Sequence, residues 1–276
     1  MSVAVVTDST SYLPAGVAPE VTVVPLHVVL GRRTGREGLE VSPEEVARAL
    51  SERRLEVSTS RPTPAEFARA YRATGAREVV SVHLSAALSG TYDAAVLGAR
   101  EVAEEGIDVR VVDSRNLAMG LGFSVLAAAA AAADGLEAAV RAARERADRT
   151  ANLFYVDTLE HLRKGGRIGA ASALLGTALA VKPLLHLVQG AIAPLEKVRT
   201  SARALARLEE LAVVRAGDDA VDVAVQHLAA PERAAAIAAR LRERLPALGD
   251  LHLSEVGAVV GAHVGPGMLG VVVSKR

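Results

Sequence analysis

The 276-residue chain contains no cysteine. That excludes a disulfide framework, a thiolate metal site and a cysteine nucleophile, and it agrees with a cytoplasmic location. Aromatic residues make up only 3%, so base-stacking platforms and aromatic sugar shelves are poorly supplied, whereas an aliphatic cavity would need none. Charge of one sign is also missing: 32 basic residues cancel 32 acidic ones, so nothing points to nucleic acid or an anionic membrane surface. Long apolar runs are absent as well. The nearest, Leu126 to Ala133, is too short to span a bilayer and ends at Asp134-Gly135, so it reads as a buried helix. Met1 to Asp8 reads as a short strand rather than a signal sequence.

What is present is a core-forming composition, 50% hydrophobic, in a chain long enough for two domains. Val3 to Thr7 is strand-like and ends in Asp8-Ser9-Thr10, and Val21 to Leu30 is apolar and β-branched, hence strand. Ser42-Pro43-Glu44-Glu45 is a capping box opening a helix to about Arg54, and Thr63-Pro64-Ala65-Glu66 is another. The pattern continues with strand Val79 to His83, a helix from Gly90 to about Glu104, and strand Val109 to Val112 ending in Asp113-Ser114. Strands alternating with helices of this length predict a three-layer α/β domain over residues 1–150, with a parallel sheet covered on both faces. Helices Leu117 to Ala133 and Leu136 to Arg149 complete it.

Residues 151–276 read as a second α/β domain with antiparallel strands. Strand Asn152 to Val156 and a short helix, Leu159 to Lys164, end at Gly165-Gly166, and Ala170 to Ala180 is expected to be helical. A hairpin follows with its turn at Gln189-Gly190, then helix 201–215, strand 221–228, helix 231–244 and two strands near 251–263.

Ser89-Gly90-Thr91 stands where a strand yields to a helix start, whose free N–H groups and positive dipole end suit a carboxylate or phosphate. Thr59-Ser60 precedes a second helix start. Simple capping is the competing reading of both. Arg167 follows a double glycine that lets the backbone turn sharply and so suits an oxyanion or a surface ion pair. His263 precedes the turn Gly265-Pro266-Gly267, where a neutral imidazole can donate to an anion or serve only as a satisfied polar group. The seven histidines show no helical metal-ligand spacing, so no zinc site is expected. Gly265-Pro266-Gly267-Met268-Leu269-Gly270 matches the glycine pattern of dinucleotide sites, yet no helix can follow it before Arg276. A serine esterase or thioesterase would use Ser89 as nucleophile, His263 as base and Asp8 or Asp113 as orienter, although no Gly-x-Ser-x-Gly elbow is present. A small-anion sensor is a third reading.

Val5-Val6-Thr7-Asp8-Ser9-Thr10, Thr59-Ser60-Arg61-Pro62, Leu88-Ser89-Gly90-Thr91-Tyr92, Gly165-Gly166-Arg167-Ile168, Lys197-Val198-Arg199-Thr200 and His263-Val264-Gly265-Pro266-Gly267 occur in this order. Each motif is weak, but together they resemble the DegV family, including its FakB-type bacterial fatty-acid-binding proteins, over essentially the whole chain. The resemblance implies two α/β domains enclosing one long-chain fatty acid, with no other cofactor. It implies that Thr59 and Ser89 hold the carboxylate, with Ser60, Gly90, Thr91, Arg167 and His263 at the head group or facing a partner. That partner would be a FakA-type kinase subunit converting the bound acid to an acyl-phosphate for phospholipid synthesis, so this chain would carry substrate rather than catalyse, with at most transient membrane contact. Two positions depart from the family: Arg61 where glutamine is common, and Ala86 where a serine often stands. Burial of about sixteen methylenes at roughly 0.8 kcal/mol each contributes on the order of 12 kcal/mol gross, so the tail would supply affinity and the polar loops orientation. Those loops would also spare a buried carboxylate the several kcal/mol of being unpaired.

Overall fold

The structure, a computed structural model, describes residues 3–14, 16–52, 55–174 and 182–276. The first half runs β1 (Ala4–Asp8), β2 (Thr22–Val24), β3 (His27–Leu30), β4 (Arg33–Arg36), α1 (Pro43–Glu52), β5 (Val57–Ser60) and α2 (Pro64–Ala73). It continues with β6 (Glu78–His83), α3 (Thr91–Ala103), β7 (Asp108–Asp113), α4 (Met119–Ala131) and α5 (Leu136–Asp148). The second half comprises β8 (Thr150–Tyr155), α6 (Glu160–Lys164), β9 (Lys182–Val188), β10 (Ala191–Val198) and α7 (Ser201–Ala216). It closes with β11 (Val221–His227), α8 (Pro231–Arg244), β12 (Leu248–Glu255), α9 (Ala258–Val264) and β13 (Leu269–Lys275).

The fold is α/β, with a fully parallel sheet in strand order β2-β1-β6-β7 and a six-stranded mixed sheet in order β10-β9-β8-β13-β11-β12. Both faces of the parallel sheet are buried. Val6 and Val79 pack with Phe67 and Tyr71 of α2, while Val5, Val80 and Val82 pack with Leu121 of α4 and Val140 of α5. This two-sided burial explains why the strands are nearly continuous apolar runs. In the mixed sheet β13 pairs with β8 on one side and β11 on the other, which places the last strand of the chain in the middle. Val271 and Val273 face α7 and α8, and Val272 faces the opposite side.

Helix α4 joins the two sheets. Leu121 and Val125 lie in the core of the parallel sheet, whereas Met119 and Phe123 meet Ala224 and Val272 of the mixed sheet. A helix packed on opposite sides has no need of a polar face, and its first two turns are fully buried. The alanine run that follows is less buried than expected, with Leu126, Ala127 and Ala129 only half-covered and Ala130 exposed.

Several elements differ from expectation for identifiable reasons. Val21 to Leu30 is broken at Pro25, which has no N–H to give: β2 joins the parallel sheet, while β3 joins a third, antiparallel sheet in order β4-β3-β5. β4 and β5 carry Arg-Thr-Gly-Arg and Val-Ser-Thr-Ser, edge strands too polar to show an apolar alternation. The expected second strand near 263 is helix α9 instead. Ala258 and Ala262 pack against α1 and the small sheet, whereas Val260 and Val264 pack against α6 and the mixed sheet. Burial on both sides hid the helical period behind β-branched residues. The helical stretch expected from Ala170 begins as a 3-10 helix, Gly169–Leu174; its remainder, residues 175–180, lies outside the described residues, as does the expected end of the first helix at Arg54.

Candidate functional site

The polar ends of β1 and β6, the small sheet, α9 and one face of the mixed sheet surround a single cavity. The space free of atoms is about 900 Å³ when the open solvent at its mouth is included. Its walls are mostly aliphatic, with Leu84, Leu117, Ile192, Val259, Val264 and Val272 among them, and Phe154 is the one phenyl ring among the described lining residues. Residues before 120 and after 150 both contribute to it.

The mouth of this cavity is polar. Thr59 and Ser60 arrive on β5, whose register against β3 sets Thr59 opposite the buried Val28. Thr59 is therefore placed by a strand edge; the helix start lies beyond it, where Thr63 and Glu66 form the expected capping box. His263 sits in the last turn of α9 and shares a 2.9 Å hydrogen bond between its Nε2 and the Thr59 Oγ1. Its Nδ1 is buried without a hydrogen-bond partner among the described residues and faces Gly165, where a Cβ would collide with it. Burial first, and the nearby Arg167 guanidinium second, push the His263 pKa down to about 4, so the ring is neutral at pH 7.

Ser89 ends a tight turn in which its N–H and that of Leu88 both donate to the Ser85 carbonyl. Its hydroxyl lies 2.9 Å from that of Thr91 and accepts from the Thr91 N–H at 3.3 Å. Arg167 follows Gly166, whose φ of 71° supplies the sharp turn. Its Nε donates to the Leu88 carbonyl at 3.0 Å and its Nη1 to the Gly165 carbonyl at 2.6 Å. One arginine thus ties the Ser89 turn to the glycine turn that backs His263.

Thr59, Ser60, Ser89, Arg167 and His263 all line the cavity, although they come from four separate segments. Gly90 and Thr91 do not. Thr91 is fully buried and braces Ser89 from behind; Gly90 provides the space that the Arg61 side chain occupies. Among the described residues no carboxylate reaches the His263 Nδ1: Asp8 is engaged by His83, and Asp113 accepts from the backbone N–H groups of Ala86 and Arg115. The base of a serine hydrolase needs a third group to orient it.

Residues 2–276 match the model of the DegV family. The chain belongs to the DegV family. It is 60% identical to a DegV domain-containing protein of Streptomyces coelicolor, over 99% of each chain. Among solved structures it superposes on a Thermus thermophilus DegV family protein described by its fatty acid binding, with a TM-score of 0.93 and 33% identity over the whole of both chains. It also superposes on Bacillus subtilis DegV, described as a fatty acid binding protein, with a TM-score of 0.91 and 33% identity over the whole of both chains.

Two polar networks of this DegV fold escaped the sequence reading. Asp8 is a buried hub: its carboxylate accepts from the N–H and hydroxyl of Thr10 at 3.0 and 2.6 Å, from the Leu84 N–H at 3.0 Å, and pairs with His83 Nδ1 at 3.0 Å. The chain of contacts continues from His83 Nε2 to Ser81 and from Ser81 to Tyr71. Thr10 and Leu84 line the cavity, so this hub fixes two of its walls. The second network centres on Glu37, which is buried beside α9 and accepts from Ser9, from Tyr12 at 3.0 Å and from the Val259 N–H at 2.7 Å. Burial raises its carboxyl pKa. The signals that could have found them were polar residues, Asp8, Ser9, Thr10 and His83, at the ends of apolar strands.

Proposed function

We propose that the protein binds one long-chain fatty acid, with the acyl chain in the aliphatic cavity and the carboxylate at its polar mouth. The observation that carries this reading is one cavity with two chemistries: an aliphatic interior, and a mouth where the hydroxyls of Thr59 and Ser89, the neutral His263 and the Arg167 guanidinium converge. A carboxylate there would gain charge-assisted hydrogen bonds, while the tail would supply most of the affinity. The fatty acid binding described for the Thermus and Bacillus relatives supports the same ligand class.

The proposal extends to a role. The units 1–150 and 151–276 enclose the ligand, no further cofactor takes part, and the protein acts in the cytoplasm as the substrate-carrying subunit of a fatty acid kinase system rather than as an enzyme. Among the described residues no helix is long and apolar enough to cross a membrane, and the acid would be collected by transient membrane contact. A FakA-type kinase would bring ATP. A carboxylate oxygen would attack the γ-phosphorus, the bond to ADP would break, and the products would be acyl-phosphate, destined for phospholipid synthesis, and ADP.

The test is reconstitution of the loaded protein with such a kinase and ATP, followed by trapping with hydroxylamine. A hydroxamate of the bound acyl chain, absent when this protein is omitted, is the expected result. No hydroxamate from a loaded protein and an active kinase would contradict the kinase role while leaving the binding role standing.

A further inference from the structure

The charge at the cavity mouth exceeds what a carboxylate needs. Arg167 and Arg61 both line the cavity and flank the same turn: Arg167 donates to the Leu88 carbonyl, and Arg61 lies against Gly90, where a Cβ would collide with Nη1 and come within 3.0 Å of Cδ. Among the described residues the hydrogen bonds of Arg167 go only to main-chain carbonyls. Among the described residues neither guanidinium pairs with an aspartate or glutamate, in contrast to Arg72 with Glu105 or Arg207 with Glu196. The field of Arg167 is felt inside the site, where it helps to hold His263 neutral. A fatty carboxylate brings one negative charge and leaves one of the two cations unmatched.

We propose that Arg61 makes this mouth selective for single-chain amphiphiles with a phosphate-type head group. Such a head carries about 1.5 to 2 negative charges at neutral pH and three acceptor oxygens. Its inner oxygens would take the hydroxyls of Thr59 and Ser89 together with Arg167, and an outer oxygen would reach Arg61, whose planar fork suits phosphate. Arg61 is a specificity residue on the exposed rim. The proposal rests on the reading of the cavity as an acyl-chain site.

The experiment compares binding of dodecyl phosphate and dodecanoate to the full chain, to Arg61→Gln and to Arg61→Lys, at pH 8, above the second phosphate ionisation near 6. The expected result is that Arg61→Gln lowers the ratio of phosphate to carboxylate affinity about tenfold, as for loss of one charge-assisted contact, and that Arg61→Lys restores most of it. An unchanged ratio in Arg61→Gln, with dodecanoate still bound, would overturn this proposal alone. Failure of the unaltered chain to bind dodecanoate would overturn the acyl-chain reading itself. Inorganic phosphate is the third arm: displacement of dodecyl phosphate by free phosphate would assign the site to a small anion and overturn selectivity for an amphiphile, whereas no displacement supports it.

Discussion

Two clusters in this molecule contain a histidine and a serine, and they differ in one respect that separates structure from function. In the cluster beneath the parallel sheet, Asp8, His83, Ser81 and Tyr71 are all fully buried and each is bonded to the next. In the cluster at the cavity mouth, among the described residues, the His263 Nδ1 has no hydrogen-bond partner and Arg167 bonds only to main-chain carbonyls. The first has nothing left to offer a ligand. The second is under-satisfied, and buried polar groups are rarely left so without a reason such as a ligand. An Asp–His–Ser sequence of contacts therefore marks the closed cluster, whereas the proposed binding site is the under-satisfied one.

The contrast can be broken from either side. The largest effect belongs to the closed cluster: Asp8→Ala would orphan the donors of Thr10, His83 and Leu84, and a loss of about 3–5 kcal/mol in urea unfolding is expected. At the mouth, Thr59→Ala combined with Ser89→Ala should lower fatty-acid affinity about 100-fold by titration calorimetry and cost the ligand-free protein only about 1–2 kcal/mol. If the two sites exchanged these signatures, the distinction between them would fail.

A third prediction uses pH. The folded pKa of His263, about 4, lies below the ordinary value of 6.5. Between those values the unfolded chain holds the proton and the folded chain does not. The histidine's contribution to stability is therefore complete above about 6.5 and is lost as pH falls toward 4. The stability difference between the unaltered chain and His263→Gln should shrink across that window by on the order of 2 kcal/mol, measured without ligand. Glu37, whose raised pKa acts in the opposite direction, is common to both chains and cancels in the difference. The smallest effect is expected for Thr91→Val, which removes the brace behind Ser89: about 1 kcal/mol of stability and a severalfold loss of affinity, by the same two measurements.

The α/β alternation and the parallel sheet were legible because strands buried on both faces and helices with capping boxes leave strong local marks, as at Val79 to His83 and Thr63 to Glu66. Helix α9 and strand β5 were not. One is a seven-residue helix buried on both sides, the other a polar edge strand, and both acquire their form from tertiary packing. These are the two elements that bring His263 and Thr59 together. Residue types at the site could be read from the motifs, but the bond between residues 59 and 263 depends on how the small sheet folds over α9. Polar residues at strand ends marked where the Asp8 and Glu37 networks lie but not their bonds, since His83 and Val259 are far from Asp8 and Glu37 in sequence.

The central claim, that the mouth holds a carboxylate whose tail fills the cavity, meets its most direct test in native mass spectrometry of the purified full chain. The account predicts one bound long-chain monocarboxylic acid per chain, released on denaturation and replaceable by oleate or palmitate. A chain that purifies empty and takes up neither acid, or that carries a small water-soluble anion instead, would contradict it.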